Sequence, residues 1–246
     1  MSYTNGLDKP KNYFDIKLYT GTNGTINITG LDFQPDFVWC KNRTVGNRHA
    51  LFDPVRGVTK RLRTDGTDAE VVDPDTLTSF NSDGFTVGAD AGNFGSNKNG
   101  DAFTSWNWKA GTSFTNDASS TGIGSIDSTG SVNTDAGFSI VSYTGNGSNG
   151  ASFSHGLNVK PKIVLIKNRT TAKNWVYWQD TTNNGTSDVR LCLNLTNANF
   201  NNFHVTFGTS TITLGDTDDA WNKSGDNLIA YCFAEKQGYS KIGSYT

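Results

Sequence analysis

The 246-residue sequence predicts an all-β protein of two tandem antiparallel β-sandwich modules, jelly-roll-like, joined by a Gly/Ser/Thr-rich linker. Three observations carry that expectation. The composition favours turns over helices, with Gly 27, Met 1 and only 18% charged residues. Apolar residues alternate with a period of two, and no segment shows a sustained helical period. A set of phrases also occurs twice, about 125 residues apart, the mark of a duplicated unit.

Residues 1–12 precede the first alternating segment and are expected to form an amino-terminal arm, with Gly6 to Tyr13 as an attachment segment. The start, Met1 to Gly6, lacks the basic and apolar regions of a signal peptide. No apolar run approaches the ~20 residues a membrane helix needs. The expectation is a soluble chain made in a cytoplasm, with no membrane insertion.

Residues 13–111 form the first expected module. Phe14, Ile16 and Leu18 alternate with Tyr13, Asp15, Lys17 and Tyr19, which predicts a strand with one packed and one wet face. Pro35-Asp36-Phe37-Val38-Trp39-Cys40 is nearly continuous in apolar character. It suits a central strand buried on both faces, with proline at its start where a missing N–H does least harm. Asp68 to Leu77 begins like a helix but contains Val71, Val72 and Pro74, so at most one or two turns are expected there. The module closes on alternation, with Phe103, Ser105 and Asn107 on one side and Trp106 and Trp108 on the other.

Residues 112–136 are Ser/Thr/Gly/Asp-rich and are expected to be the linker. Residues 137–238 repeat the module: the Tyr13 to Gly21 phrase returns at Gly137 to Gly145, Pro35 to Lys41 at Pro161 to Lys167, and Gly100-Asp101 at Gly225-Asp226. Trp106 and Trp108 fall on Tyr231 and Phe233. Residues 239–246 repeat a module's opening phrase, which predicts the start of a third repeat or a carboxy-terminal tail, and a longer natural polypeptide.

Lys41-Asn42-Arg43-Thr44 recurs as Lys167-Asn168-Arg169-Thr170. The two arginines could fork onto an anion or a glycan. The alternative is that Asn turns the chain at the exit of a core strand, and recurrence at the same point of each copy favours that structural role.

The formal net charge of −2 and pI near 5.9 lack the global positive footprint of a duplex nucleic-acid binder. Cys40, Cys192 and Cys232 cannot all pair and form no Cys-x-x-Cys motif, so buried reduced thiols are expected. His49, His155 and His204 lack metal-ligand spacing, and no phosphate loop, dinucleotide fingerprint or Gly-x-Ser-x-Gly occurs, so no cofactor is implied.

The runs His49-Ala50-Leu51-Phe52-Asp53-Pro54-Val55-Arg56-Gly57-Val58-Thr59-Lys60 and Leu77-Thr78-Ser79-Phe80-Asn81-Ser82-Asp83-Gly84-Phe85-Thr86-Val87-Gly88 carry a resemblance. So do the opening Gly6-Leu7-Asp8-Lys9-Pro10, the Lys-Asn-Arg phrases and the closing stretch Ala234 to Lys241. Together they resemble a repeated domain of tail-fibre-like and other virion proteins of marine bacteriophages, over nearly the whole chain. The resemblance implies a virion structural protein of a tailed phage, a fibre, appendage or decoration, assembled in the host cytoplasm. It brings no catalytic motif. The second copy departs from it, with Asn174-Trp175-Val176-Tyr177-Trp178-Gln179-Asp180 where the first has the His49 run.

Two sets of residues are candidate partner or glycan surfaces. Arg48, Arg56, Lys60, Arg61 and Arg63 concentrate positive charge that suits an anionic polysaccharide or an acidic face of a neighbouring subunit, although charge runs are commonly solvated faces. Trp175, Tyr177 and Trp178, with Trp106 and Trp108, suit stacking on sugar rings, although alternation sends half of such aromatics to the core. Trp175 and Tyr177 are expected on one strand face and Trp178 on the other. Gly215-Asp216-Thr217-Asp218-Asp219 could offer calcium oxygen ligands but reads better as a turn. Glu70 and Glu235 are the only glutamates, and the aspartates sit mainly beside turn residues, so catalysis has little to stand on. The leading expectation is a non-catalytic assembly component of a symmetric oligomer, contacting other virion subunits, ahead of an adhesin for host cell-surface glycan and a polysaccharide depolymerase.

Overall fold

Both proline-led apolar runs become middle strands of sheets built in the same order. The computed structural model describes residues 7, 9–46, 49–92, 95–180, 186–196 and 200–243. Among the described residues, nine strands lie in the first half: β1 (Phe14–Thr20), β2 (Ile26–Ile28), β3 (Phe37–Asn42), β4 (His49–Phe52), β5 (Lys60–Arg61), β6 (Val71–Val72), β7 (Leu77–Asn81), β8 (Gly84–Val87) and β9 (Ala102–Trp108). Ten follow: β10 (Thr112–Asn116), β11 (Ser128–Asn133), β12 (Phe138–Thr144), β13 (Ser152–Ser154), β14 (Ile163–Asn168), β15 (Val176–Gln179), β16 (Thr186–Cys192), β17 (Phe200–Phe207), β18 (Thr211–Leu214) and β19 (Asn227–Phe233). Their ladders are antiparallel, so the protein is all-β.

The chain divides into two units, Lys9–Gly111 in one and Thr112–Thr246 with the amino-terminal end in the other. In the first, a four-stranded sheet β1-β9-β3-β4 and a three-stranded sheet β2-β8-β7 are joined by a core of Val38, Cys40, Ala50 and Phe52 from one and Ile28, Leu77, Phe85 and Val87 from the other. Side chains from two sheets meeting in one core make a sandwich. The second unit repeats both orders, as β12-β19-β14-β15 and β17-β18-β13, but β16 bridges them into one ten-stranded sheet. Its core gathers Val141, Tyr143, Val164, Ile166, Trp178, Ile212, Leu228 and Cys232, among others. Each fully buried large apolar side chain of this kind contributes ~1.5–3 kcal/mol.

The doubled Lys-Asn-Arg-Thr phrase is a clamp of the fold. Asn42 Oδ1 accepts the N–H groups of Thr44 (2.9 Å) and Val45 (3.2 Å), and its Nδ2 donates to Asp101 at 2.7 Å. Asn168 repeats this with Thr170 (2.9 Å), Thr171 (2.8 Å) and Asp226 (2.8 Å). The hydroxyls of Thr44 and Thr170 accept the N–H of Ala102 (2.8 Å) and Asn227 (3.0 Å). The phrase therefore ties the end of β3 to the start of β9, and in the second copy the end of β14 to the start of β19.

Several expectations are corrected. Residues 112–136 are no linker: β10 pairs with β11 and β11 with β12, adding two edge strands to the second module. Small residues are there because the hairpin packs closely. A Cβ on Gly130 would lie 2.0 Å from the Ile140 carbonyl oxygen and 2.8 Å from the Phe114 ring. The amino-terminal arm is not free at Leu7, which is 3% exposed, and Pro10–Asn12 forms a 3-10 turn. Asp68 to Leu77 holds no helix; Val71–Val72 pairs with Lys60–Arg61 instead, as β-branched residues favour. Among the described residues, two short α-helices occur, α1 (Ala118–Thr121) and α2 (Asp219–Asn222), each started by an aspartate that accepts a backbone N–H. Residues 239–243 form no opening strand; a bridge between Lys236 and Ser240 turns the chain, and Glu235 holds Lys241 and the Ile242 N–H.

Candidate functional site

Strand β1 sets the most unusual surface of the first module. Gly21 N–H donates to Asp101 and Lys109 N–H to Tyr13, so the odd-numbered backbone groups of β1 face β9, and those of Phe14, Ile16, Leu18 and Thr20 face an open edge. That edge is guarded. Asp15 Oδ1 accepts the outward Ile16 N–H at 2.8 Å. Lys17 lies on the inner face, its Nζ 3.4 Å from Asp15 Oδ2 and donating to the Gly30 carbonyl at 2.5 Å. Inward charges at an edge discourage strand addition.

The outer face of the same sheet carries the apolar residues. Cross-strand pairing aligns Phe14 with Trp108 and Phe37, and Ile16 with Trp106, Trp39 and Leu51. Leu18 lies in the next row with Thr104, Lys41 and His49. Ile16 is 45% and Leu18 66% exposed. Trp39, Trp106, Trp108, Phe14 and Lys41 are partly exposed, and Phe37 and Leu51 are buried. Alternation in β1 was legible, but the packed side is the one with Asp15, Lys17 and Tyr19; Tyr19 lies against the core and donates to the Ser96 carbonyl at 2.8 Å.

The aromatic rings of this face pack on one another. Phe14 and Trp108 lie 4.5 Å apart at 46°, Phe37 and Trp108 5.2 Å at 88°, and Trp39 and Trp106 5.6 Å at 60°. Trp39 Nε1 donates to His49 Nδ1 at 3.1 Å, which requires a neutral imidazole with its proton on Nε2. Burial, aided by the Lys41 charge, holds the His49 pKa below its ordinary value and maintains that form.

Residue by residue, the second module has the same face in a different state. Phe138, Ile140, Ile229, Tyr231 and Lys167 stand where Phe14, Ile16, Thr104, Trp106 and Lys41 stand in the first, and each is at most 1% exposed. Trp175 takes the place of His49, fully buried with its ring 6.2 Å from that of Tyr231. The counterparts of Phe37, Trp39 and Trp108, which are Ile163, Leu165 and Phe233, remain partly exposed, so the second copy buries the β12 side of the face and leaves the rest partly open.

The expected basic surface is not assembled. Arg48 lies outside the described residues. Arg56 is 2% exposed, paired with Asp53 at 2.5 Å and Glu70 at 3.2 Å, and donates to the carbonyls of Lys60 and Leu51. Arg61 is buried against Asp73 at 2.6 Å, and Arg63 meets Asp65 and Asp68. Lys60 is partly exposed. The acids that pair with these three arginines lie within the same loop region, so the guanidinium charges are met within the module. Trp178 is in the core and Trp175 is buried, so neither presents a ring to a ligand. They do take opposite strand faces as alternation requires. Tyr177 is partly exposed and donates to Gln179 Oε1 at 2.6 Å.

Asp218 caps α2 and lies 3.6 Å from Arg190, and Asp219 pairs with Lys173 at 3.1 Å, which consumes the would-be calcium ligands. Among the described residues no group of three metal-binding side chains occurs. All three cysteines are free and buried, and burial pushes the Cys40 and Cys232 thiols up to about 12. Sequence reasoning named Trp106 and Trp108 but missed Phe14, Ile16, Leu18 and Trp39. The signal was present: an edge strand with charges on one side and aliphatics on the other does not say which side faces the core.

No curated protein and no solved structure matches the chain. A family model matches residues 9–246, running through both modules, and the chain belongs to that family, the domain of unknown function DUF7483.

Proposed function

We propose that this chain is a structural subunit of a tailed-phage virion, of fibre, appendage or decoration type, that works by assembling with copies of itself and with other virion subunits. The observation that carries the reading is the accessible apolar face of β1, β9 and β3, where Ile16 and Leu18 are exposed although Ile140, the counterpart of Ile16 in the second module, is fully buried. Apolar, aromatic-rich surface with little charge is the composition of an interface core. The steep angles between the rings favour a protein partner over a sugar platform, which needs ring faces presented in a common plane. The Trp39 indole N–H is already taken by His49.

The face is small. Four strands at ~4.8 Å spacing by three side-chain rows at ~6.8 Å give about 400 Å², roughly half of what each partner buries in a standard stable interface. Each contact is therefore weak alone and gains strength through repetition in an array. Sedimentation velocity over a concentration series tests the proposal. Reversible, concentration-dependent growth is the expected result; a single monomeric species at every concentration would overturn it.

A further inference from the structure

An open cleft of about 360 Å³ lies at one end of β10, β11 and β12, within the volume range of small-molecule sites. Thr115, Thr129 and Ser142 are cross-strand neighbours on one sheet face and line it side by side, with Thr144, Asp117 and Asp127 around them. The lining holds two carboxylates and no basic side chain.

Its groups are held in place from behind. Asp117 Oδ1 accepts the Ser120 N–H at 3.0 Å and the Ser119 hydroxyl at 2.7 Å, and Asp127 Oδ1 accepts the Ala118 N–H at 2.8 Å. Ser142 Oγ accepts from Arg169 at 3.4 Å. Among the described residues, the second carboxylate oxygen of Asp127 and the hydroxyls of Thr115 and Thr129 make no protein hydrogen bond. The cleft is thus rich in carboxylate acceptors and in rotatable hydroxyls that can donate or accept, on a frame fixed by strand pairing.

We propose that this cleft binds a neutral saccharide. The ligand must bring several hydroxyl donors spaced a few ångströms apart, as a pyranose ring does, and must carry no negative charge to meet Asp117 and Asp127. Calcium is a poorer fit, because it takes six to eight oxygens and each carboxylate here already spends one on the protein. Cleavage is a poorer fit as well: the hydrogen bonds from Ser119 and Ser120 hold Asp117 below its ordinary pKa, whereas a general acid needs a raised one. The site lies wholly in the second module and is independent of the apolar face of the first.

Saturation-transfer NMR of the full chain with glucose, galactose, mannose and N-acetylglucosamine, and with glucuronate as the anionic control, tests it. At least one neutral sugar should show transfer, weakened at least tenfold in both Thr129→Val and Asp127→Asn, and glucuronate should bind at least tenfold more weakly than glucose. The amide introduced by Asp127→Asn keeps an acceptor for the Ala118 N–H, so both variants should unfold at the wild-type temperature and sediment as wild type does. Absence of transfer from every neutral sugar, binding unchanged in both variants, or glucuronate bound as well as glucose would each overturn the proposal. None of these results bears on self-association.

Discussion

Replacing Ile16 and Leu18 together with serine removes the most exposed aliphatic part of the accessible sheet face. The two side chains are 45% and 66% exposed in the free protein, which leaves that share to be buried on docking. Complete burial of a Leu or Ile stabilises by ~1.5–3 kcal/mol, and scaling by exposure gives ~0.7–1.4 kcal/mol for Ile16 and ~1–2 kcal/mol for Leu18 on docking. The double variant should therefore associate ~2–3 kcal/mol more weakly, roughly 30- to 140-fold. By the same scaling the part of each side chain already buried in the free protein contributes ~0.8–1.7 kcal/mol for Ile16 and ~0.5–1 kcal/mol for Leu18, so folding stability should fall by ~1–3 kcal/mol. Sedimentation velocity reads the first quantity and urea unfolding the second. Association as strong as wild type, with folding intact, would refute a docking role for this face.

Other outcomes follow from buried polar groups. Arg56→Ala strands Asp53 in the core and should cost ~3–5 kcal/mol in urea unfolding, the signature of a broken buried pair; a change within ~0.5 kcal/mol would place Arg56 at the surface. Asp36 has its carboxyl pushed up to about 6, chiefly by burial, while its Oδ2 accepts the Ala110 N–H at 2.8 Å. A raised carboxyl pKa favours the folded state fully below the unfolded value and loses that contribution as pH rises through 6. Asp36→Asn, which keeps the acceptor, should therefore gain about 2.5 kcal/mol relative to wild type between pH 4 and pH 8; equal pH dependence of the two proteins would contradict it. His155 is lowered to about 4 by burial, with Nε2 3.2 Å from the Gly208 carbonyl and Nδ1 accepting the Leu157 N–H. Its stabilising contribution is present above the unfolded value of ~6.5 and is lost as pH falls through 4. His155→Gln should flatten the acid limb of a stability profile, and an unaltered limb would exclude this histidine as its source.

The fold class was legible because strand period, turn chemistry and duplication agree on it. Pro35 and Pro161 announce the two central strands, and the Asn42 and Asn168 turns recur because the same clamp is built twice. Three features were hidden for physical reasons. Gly130 and its serine neighbours look like a linker, since a close-packed edge hairpin and a flexible loop share small residues. Arg56, Arg61 and Arg63 look like a patch when cations are counted alone, although Asp53 and Asp65 lie two or three residues away in sequence; Asp73 and Glu70 are brought in by the β5-β6 pairing. The Phe14-Ile16-Leu18 stripe looks like core, since sequence gives the alternation of a strand and not which of its faces is covered.

The six tryptophans allow a direct measurement. Trp175, Trp178 and Trp221 are at most 1% exposed, whereas Trp39, Trp106 and Trp108 are partly exposed on the outer face of the β1-β9-β3-β4 sheet. Fluorescence accessible to acrylamide should therefore come from that face. Its quenching is expected to fall as wild-type protein associates with rising concentration, and to stay constant in the Ile16→Ser, Leu18→Ser double variant. Oligomers that form with Trp quenching unchanged would place the contact elsewhere and contradict the central claim.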